Sequence, residues 1–247
     1  MGRTGSPRVS RWLVLVAAGL ISLGLAALGL WQLQRLSWKE ALIARVEARL
    51  AAAPEAFPAQ ALWPALGRPD EYRRVLLVGQ WAPEHEALVQ ATTVLGGGYW
   101  VLMPLRQADG SWVWVNRGFV PPEMRDPQLR PLPSATRSLQ GLLRMSEPGG
   151  GPLRSNQPEA NRWYSRDVVA LSKHQRLHGT VAPVFVDEAA DPAQPQRWPR
   201  PGLTVVQFHN SHLAYALTWF ALAAMVLAGA GYLLWDDRRR DVEPADA

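Results

Sequence analysis

The chain contains no cysteine. Disulfide bridges, zinc–cysteine sites, covalent c-type haem attachment and thiol-based copper transfer are therefore excluded. The usual signatures of an enzyme are also missing from its 247 residues: there is no G-x-S-x-G, no H-E-x-x-H, no P-loop and no dinucleotide fingerprint. Gly96-Gly97-Gly98 and Gly149-Gly150-Gly151 lack the Lys-Ser/Thr or helix context of a phosphate cradle and read as turn glycines. No internal repeat is present. The net charge is +5, but the basic residues are dispersed or flank apolar runs. That pattern points to membrane anchoring and away from nucleic acid.

Charge itself is missing from two long stretches. Leu13 to Trp31 and Leu213 to Trp235 contain no Asp, Glu, Lys, Arg or His, and each is long enough to cross a bilayer core of roughly 30 Å as a helix. The first exceeds the 7–15-residue apolar core typical of a signal peptide. It runs into Trp31-Gln32-Leu33-Gln34-Arg35 without a small-residue cleavage step, so an uncleaved anchor is expected. Trp12 and Trp31 bracket the first stretch, and Tyr232 and Trp235 close the second, as interfacial belts do. The expected fold is a membrane hairpin of two transmembrane α-helices. It encloses a mainly antiparallel β domain of small-barrel or sandwich type. The expected divisions are a tail at 1–11, a span at 12–34, a β-rich domain at 35–209 whose 35–53 segment extends the first helix, a second span at 210–235 and a tail at 236–247. Arg3, Arg8 and Arg11 precede the first span and Arg238, Arg239 and Arg240 follow the second, which favours cytoplasmic tails. Arg35, Lys39, Arg45 and Arg49 oppose that count, but long domains translocate largely regardless of charge. The short leader favours a bacterial plasma membrane with the central domain outside.

Within the domain, Pro54 and Pro58 end the first helix. Arg73 to Trp81 reads as a strand with Glu86 to Thr92 as its hairpin partner. Tyr99 to Arg106 and Trp112 to Phe119 read as a second hairpin closed at Asp109-Gly110. Trp and Val alternate from Trp112 to Val115, which places both tryptophans on one sheet face. Further strands are expected at Ser138–Met145 and Val184–Val186, with a helix in the later part of Asn161–His178. His174 and His178, four apart, share a face of that helix, with a solvated surface the simpler account than a metal site.

His212 stands out at the mouth of the second span. Asn210 or Ser211 is a natural N-cap, which puts His212 in the first helical turn, where the helix dipole favours a neutral imidazole. At about 100° per residue, His212, Tyr215 and Trp219 fall on one face. A neutral imidazole above two aromatics suits a flat metallated ring such as haem. From the spacing alone, an interfacial belt whose histidine caps or bonds nearby backbone is the simpler account. On the first span Gly24, Leu28, Trp31, Arg35 and Trp38 share a stripe. Gly24 would allow close approach of the partner helix, and Arg35 is placed either to meet a haem propionate or to snorkel to the headgroups.

These residues carry a family resemblance. Gly29-Leu30-Trp31-Gln32-Leu33-Gln34-Arg35 with Lys39 resembles the end of the first span in the Surfeit-locus-one family of cytochrome c oxidase assembly proteins. Three further blocks match in order: Tyr72 with Val78-Gly79 and Trp81; Pro104-Leu105 through Asp109-Gly110 to Val115-Asn116-Arg117-Gly118; and Asn210-Ser211-His212-Leu213 with Tyr215-Ala216 and Thr218-Trp219. Trp163-Tyr164 and Asp167 also resemble an element of that family. The chain departs from it at Ser211, where Asn is usual, and at Phe119, where Trp is usual. The resemblance implies a non-enzymatic assembly factor that carries haem A and helps place it in oxidase subunit I. Haem A synthase would be the supplier and membrane lipids the surroundings. It raises His212 as ligand of the haem iron, with Tyr215, Trp219, Trp31 and Arg35 around the cargo. The alternative is a scaffold that stabilises an oxidase assembly intermediate without touching haem. The role of Asn116-Arg117-Gly118 stays open between a site and a strand end with a glycine bulge.

Overall fold

A computed structural model describes residues 8–130, 136–151, 154–203 and 210–242. The chain divides into two compact units, one of residues 1–45 with 207–247 and one of residues 46–206. The first unit is a pair of helices. Helix α1 runs unbroken over Arg8–Ala51, which includes the expected extension beyond the apolar stretch. Both α1 and the C-terminal helix contain segments long and apolar enough to cross a membrane, at mean hydropathies of 2.5 and 1.9.

The two helices meet along a narrow seam. Ser22, Ala216 and Ala223 are buried there, and the Ser22 hydroxyl donates to the Ala223 carbonyl at 3.1 Å. Gly29 makes the close approach: a Cβ there would lie 2.6 Å from Cε1 of Phe220. Gly24, expected in that role, faces outward, and a Cβ there would meet nothing within 4 Å. The two glycines are five residues apart, about 140° around the helix, so both cannot face one neighbour.

The second unit is a closed barrel of five strands. Its elements in order are β1 (Glu55–Ala56), β2 (Arg74–Trp81), β3 (Ala87–Thr93), β4 (Gly96–Arg106), β5 (Trp112–Val120), β6 (Thr136–Met145), β7 (Gly150–Gly151), β8 (Arg154–Ser155), α2 (Val168–His174) and β9 (Val181–Glu188). The C-terminal helix of the first unit is α3 (His212–Val242). The main sheet has the order β1-β2-β6-β9-β5-β4-β3, and a β2–β4 pairing at Gln80–Arg106 and Trp81–Leu105 closes the ring. The β4–β5 hairpin forms as expected, in register from Leu102–Asn116 to Arg106–Trp112. Gly110 has φ +83°, and the Gly110 N–H donates to the Gln107 carbonyl while Gln107 N–H donates to Ser111. That is a three-residue loop with glycine in the left-handed position.

One pairing differs from expectation. Strand β3 pairs with β4, from Ala87–Leu102 to Thr93–Gly96, and not with β2. Both edges of β2 are already occupied, one by β6 and the other by β1 and β4. The turn at Pro83–His85 then carries the chain away from β2. The Gly96-Gly97-Gly98 run is the start of β4 and not simply a turn. A Cβ on Gly98 would sit 2.6 Å from the Phe119 ring.

Alternation along β5 splits its side chains between two cores. Val113 and Val115 join Val75, Leu77, Met103, Leu105, Leu143, Val184 and Val186 inside the barrel. Trp114 points the other way, to Val89, Leu102, Trp163, Val168, Leu171 and Phe185 under α2. Its indole donates to the Ser172 hydroxyl at 2.9 Å, so the largest buried ring also has its polar atom satisfied. Asp167 caps α2 by accepting from Ala170 N–H at 3.0 Å. The helix ends at His174, so His178 lies beyond it and the two histidines share no helix face. His174 packs edge-on to Trp163 at 5.5 Å. Among the described residues no cluster of three or more His, Cys, Asp or Glu is arranged to hold a metal.

Candidate functional site

His212 is the first residue of α3, as its polar approach Asn210-Ser211 dictates. Asn210 Oδ1 accepts from His212 N–H at 3.4 Å, and the Ser211 carbonyl accepts from Tyr215 N–H at 3.2 Å. The side chain is half-buried against α1, and its Nδ1 lies 2.8 Å from Gln32 Oε1. A carbonyl oxygen can only accept, so this contact puts the ring proton on Nδ1. In the neutral ring Nε2 is then the nitrogen left to accept or ligate. An imidazole with one nitrogen donating to a fixed acceptor and the other unprotonated is the arrangement of a metal-ligating histidine.

The other expected site residues are placed differently. Trp219 is half-buried on the same side of α3 as His212, two turns further on. Tyr215 is 56% exposed on the flank of that face. Trp31 is exposed, and Arg35 is exposed with its guanidinium carbon 4.7 Å above the Trp38 ring. Trp31 and Arg35 therefore lie outside the seam that holds His212 and Gln32. Gln32 is the residue that sequence reasoning passed over. The available signal was the spacing of Ser22, Gly29 and Gln32, small or polar residues seven and three apart on an otherwise apolar helix.

The β domain has its own polar centre. Asn116 donates from Nδ2 to Asp187 Oδ1 at 2.8 Å, and its Oδ1 accepts from Gly118 N–H at 3.1 Å. Asp187, 4% exposed, also accepts from Arg144 at 2.8 Å and Arg166 at 3.4 Å. Arg144 reaches on to Glu71 at 3.1 Å and Arg166 to Glu147 at 3.0 Å. Burial alone would raise the Glu147 carboxyl, but the Arg166 hydrogen bond and charge hold it below the ordinary range. Gly118 has φ +127°, and a Cβ there would lie 2.2 Å from the Arg200 carbonyl oxygen. Asn116 and Gly118 are thus built into the barrel wall.

Arg117, between them, is 4% exposed with its guanidinium carbon 5.7 Å from the Trp81 ring. Burial pushes its pKa down to about 10 despite Glu188 and Glu86 nearby. Burial likewise raises Glu86, more than Arg130 and Arg117 lower it.

Comparison with known proteins places these features in a lineage. The model of the SURF1 family matches residues 20–224. A SURF1-like protein of Monosiga brevicollis is 34% identical over 215 residues, covering 81% of this chain and 80% of that protein. Surfeit locus protein 1 of Homo sapiens is 32% identical over 233 residues, covering 87% of this chain and 74% of that protein. The Mus musculus protein of the same name is 33% identical over 215 residues, covering 80% and 68%.

Proposed function

Because the chain belongs to the SURF1 family, we propose that it is a membrane-bound assembly factor for haem–copper cytochrome c oxidase. Its cargo is haem A, received from haem A synthase and passed to oxidase subunit I. The observation that carries this reading is the Gln32–His212 contact, which leaves His212 Nε2 available to the haem iron. Trp219 and Tyr215 offer aromatic surface to the macrocycle, and Trp31 and Arg35, outside the helix seam, would meet only its exposed edge, Arg35 at a propionate. A carrier must release what it holds, so an exposed half-site at a helix mouth suits the task better than an enclosed pocket would. No catalytic chemistry is assigned to the chain. The two apolar helices fit a membrane protein. In this reading they anchor it in a bacterial plasma membrane, with both termini cytoplasmic and the β domain outside.

The test is the optical spectrum of the full chain purified in detergent from cells that also make haem A. A Soret band is expected in the wild type and its loss or shift in His212→Ala, with membrane insertion unchanged. An unchanged band in His212→Ala sinks His212 as the ligand. The absence of any band in the wild type favours a scaffold that steadies an assembly intermediate, with the Gln32–His212 bond serving only to join the helices. Topology is read separately: reporter fusions after residue 11 and after residue 240 are expected inside, and one near Asp109 outside.

A further inference from the structure

The hairpin that joins β3 to β4 has an apolar apex. Thr93 pairs with Gly96, so Val94 and Leu95 alone make the turn, and they are 80% and 44% exposed. The Leu95 N–H donates to the Thr93 hydroxyl at 3.1 Å, and Gly96 follows with φ +97°. Thr93 and Gly96 thus supply the turn chemistry. Nothing in the backbone calls for aliphatic residues between them, where Asn, Asp, Gly or Ser is the usual choice. No charged residue or histidine occurs between Glu86 and Arg106. Cationic and aromatic side chains stand at the base of the turn instead. Arg154 and Tyr164 line one hollow with Gly97, Gly98 and Tyr99. The Arg154 guanidinium carbon lies 5.5 Å from the Tyr164 ring, and that of Arg125 lies 5.4 Å from the Tyr99 ring.

An aliphatic apex with tyrosines and arginines behind it has the layering of an element at a membrane interface. The tip suits acyl chains, the aromatic rings suit the headgroup level, and the guanidinium groups suit lipid phosphates. A separate protein is a poorer match. Association of free molecules must offset lost translational and rotational freedom, usually through aromatic or arginine anchors in a well-packed centre. Two aliphatic side chains followed by three glycines offer no such anchor. A bilayer needs none, because the domain of residues 46–206 continues at both ends into the apolar helices. That tether holds the membrane at a high effective concentration, so a small apolar tip suffices.

We propose that Val94 and Leu95 dip into the surface of the bilayer that the two helices cross, giving the β domain a membrane contact of its own. The proposal rests on the membrane anchoring described above and not on the haem reading. The Asp109-Gly110 turn lies at the other end of β4, a strand of 11 residues that extends roughly 36 Å. With Leu95 in the bilayer, Asp109 stays in water.

The experiment uses the full chain in bilayer discs of phosphatidylcholine and phosphatidylglycerol, carrying a single nitroxide label at Leu95→Cys, Leu23→Cys or Asp109→Cys. The absence of native cysteine leaves no background. Collisions with oxygen, which concentrates among acyl chains, are compared with collisions with a water-soluble nickel chelate. Oxygen is expected to dominate at Leu95 and Leu23, and nickel at Asp109. Val94→Asp added to Leu95→Cys is expected to abolish the oxygen dominance, and because Val94 is exposed the change spares the core. Nickel dominance at Leu95 with oxygen dominance at Leu23 overturns the tip contact and leaves the anchoring standing. Nickel dominance at Leu23 overturns both. Low access of both reagents at Leu95 means that protein covers the tip, and this also overturns the proposal. So does oxygen dominance at Asp109, or an oxygen signal at Leu95 unmoved by Val94→Asp.

Discussion

Gln32 and His212, 180 residues apart in sequence, are joined by a single side-chain contact of 2.8 Å across the helix pair. The contact sets which nitrogen of the imidazole is free and how the ring is turned. Gln32→Leu keeps the histidine but removes the acceptor that orients it. Removing such a supporting partner typically costs about 10–100-fold in metal affinity. The expected result is a weakened or shifted Soret band in Gln32→Leu, intermediate between wild type and His212→Ala. A spectrum and haem content identical to wild type would show that the contact does not govern the ligand.

Gly29 and Gly24 make opposite predictions for helix association. A side chain at Gly29 collides with Phe220, whereas one at Gly24 meets open space. With no native cysteine, a Ser22→Cys/Ala223→Cys pair reports the seam by disulfide formation without background. Adding Gly29→Val is expected to lower the crosslinking yield, in line with overpacking costs of about 1–3 kcal/mol. Gly24→Val is expected to leave it unchanged. Equal yields would remove Gly29 from the interface.

Asp187 neutralises buried arginines from two other parts of the domain, Arg144 on β6 and Arg166 before α2, while fixing Asn116. Asp187→Asn retains the shape but removes the buried carboxylate that the two guanidinium groups share, leaving Arg144 to Glu71 and Arg166 to Glu147. Breaking one partner of a buried pair costs about 3–5 kcal/mol. A fall in the denaturant midpoint of that order is expected, and a near-neutral result would mean that solvent reaches the network.

Two carboxylates drive the acid dependence of stability in opposite directions. The Glu147 carboxyl is held below its unfolded value of 4.5. Its contribution is therefore complete above that value and is lost as pH falls through the lower folded pKa. Glu86 is raised above 4.5 in the folded chain. Its contribution is present below that value and lost as pH rises through the folded pKa. In urea titrations across pH, Glu147→Gln is expected to flatten the acid limb. Glu86→Gln is expected to flatten the dependence above 4.5. A profile unaltered by either change would assign the pH response to other groups.

The elements that were legible in sequence are those with internal contrast. Val113, Trp114 and Val115 alternate between two cores because a strand has only two faces and each is filled by a different neighbour. The Asp109-Gly110 turn was likewise local chemistry, whereas the Asp167 cap of α2 emerges only in the structure. Helix rotation was harder. In α1 every face between Leu13 and Trp31 is apolar, so hydropathy carries no phase, and only Ser22, Gly29 and Gln32 mark the side that meets α3. The aromatic stripe through Trp31 and Trp38 was more conspicuous but points outward. Strand partners were hidden for another reason. The pattern of β3 says that one face is buried but not against which edge, and β2 had no edge left. Glu86, Arg117 and Arg130, which interact in the folded domain, come from three separate segments, so no local motif could have gathered them.

The position of β9 between β5 and β6 sets the order in which the polypeptide can finish folding. Its pairing with β5 is parallel and its pairing with β6 antiparallel, and both partners are synthesised well before it. Until Val181–Glu188 has left the ribosome, β5 and β6 each present an unpaired edge, and the ring cannot close by accumulating hairpins as they emerge. Such long-range pairing is slow and leaves exposed edges open to misassociation. A nascent chain stalled before Val181 is expected to stay protease-sensitive, and one stalled far enough beyond Glu188 to become resistant. Because α3 begins at His212, soon after β9, barrel closure and emergence of the second apolar helix fall close together in the same short interval of translation.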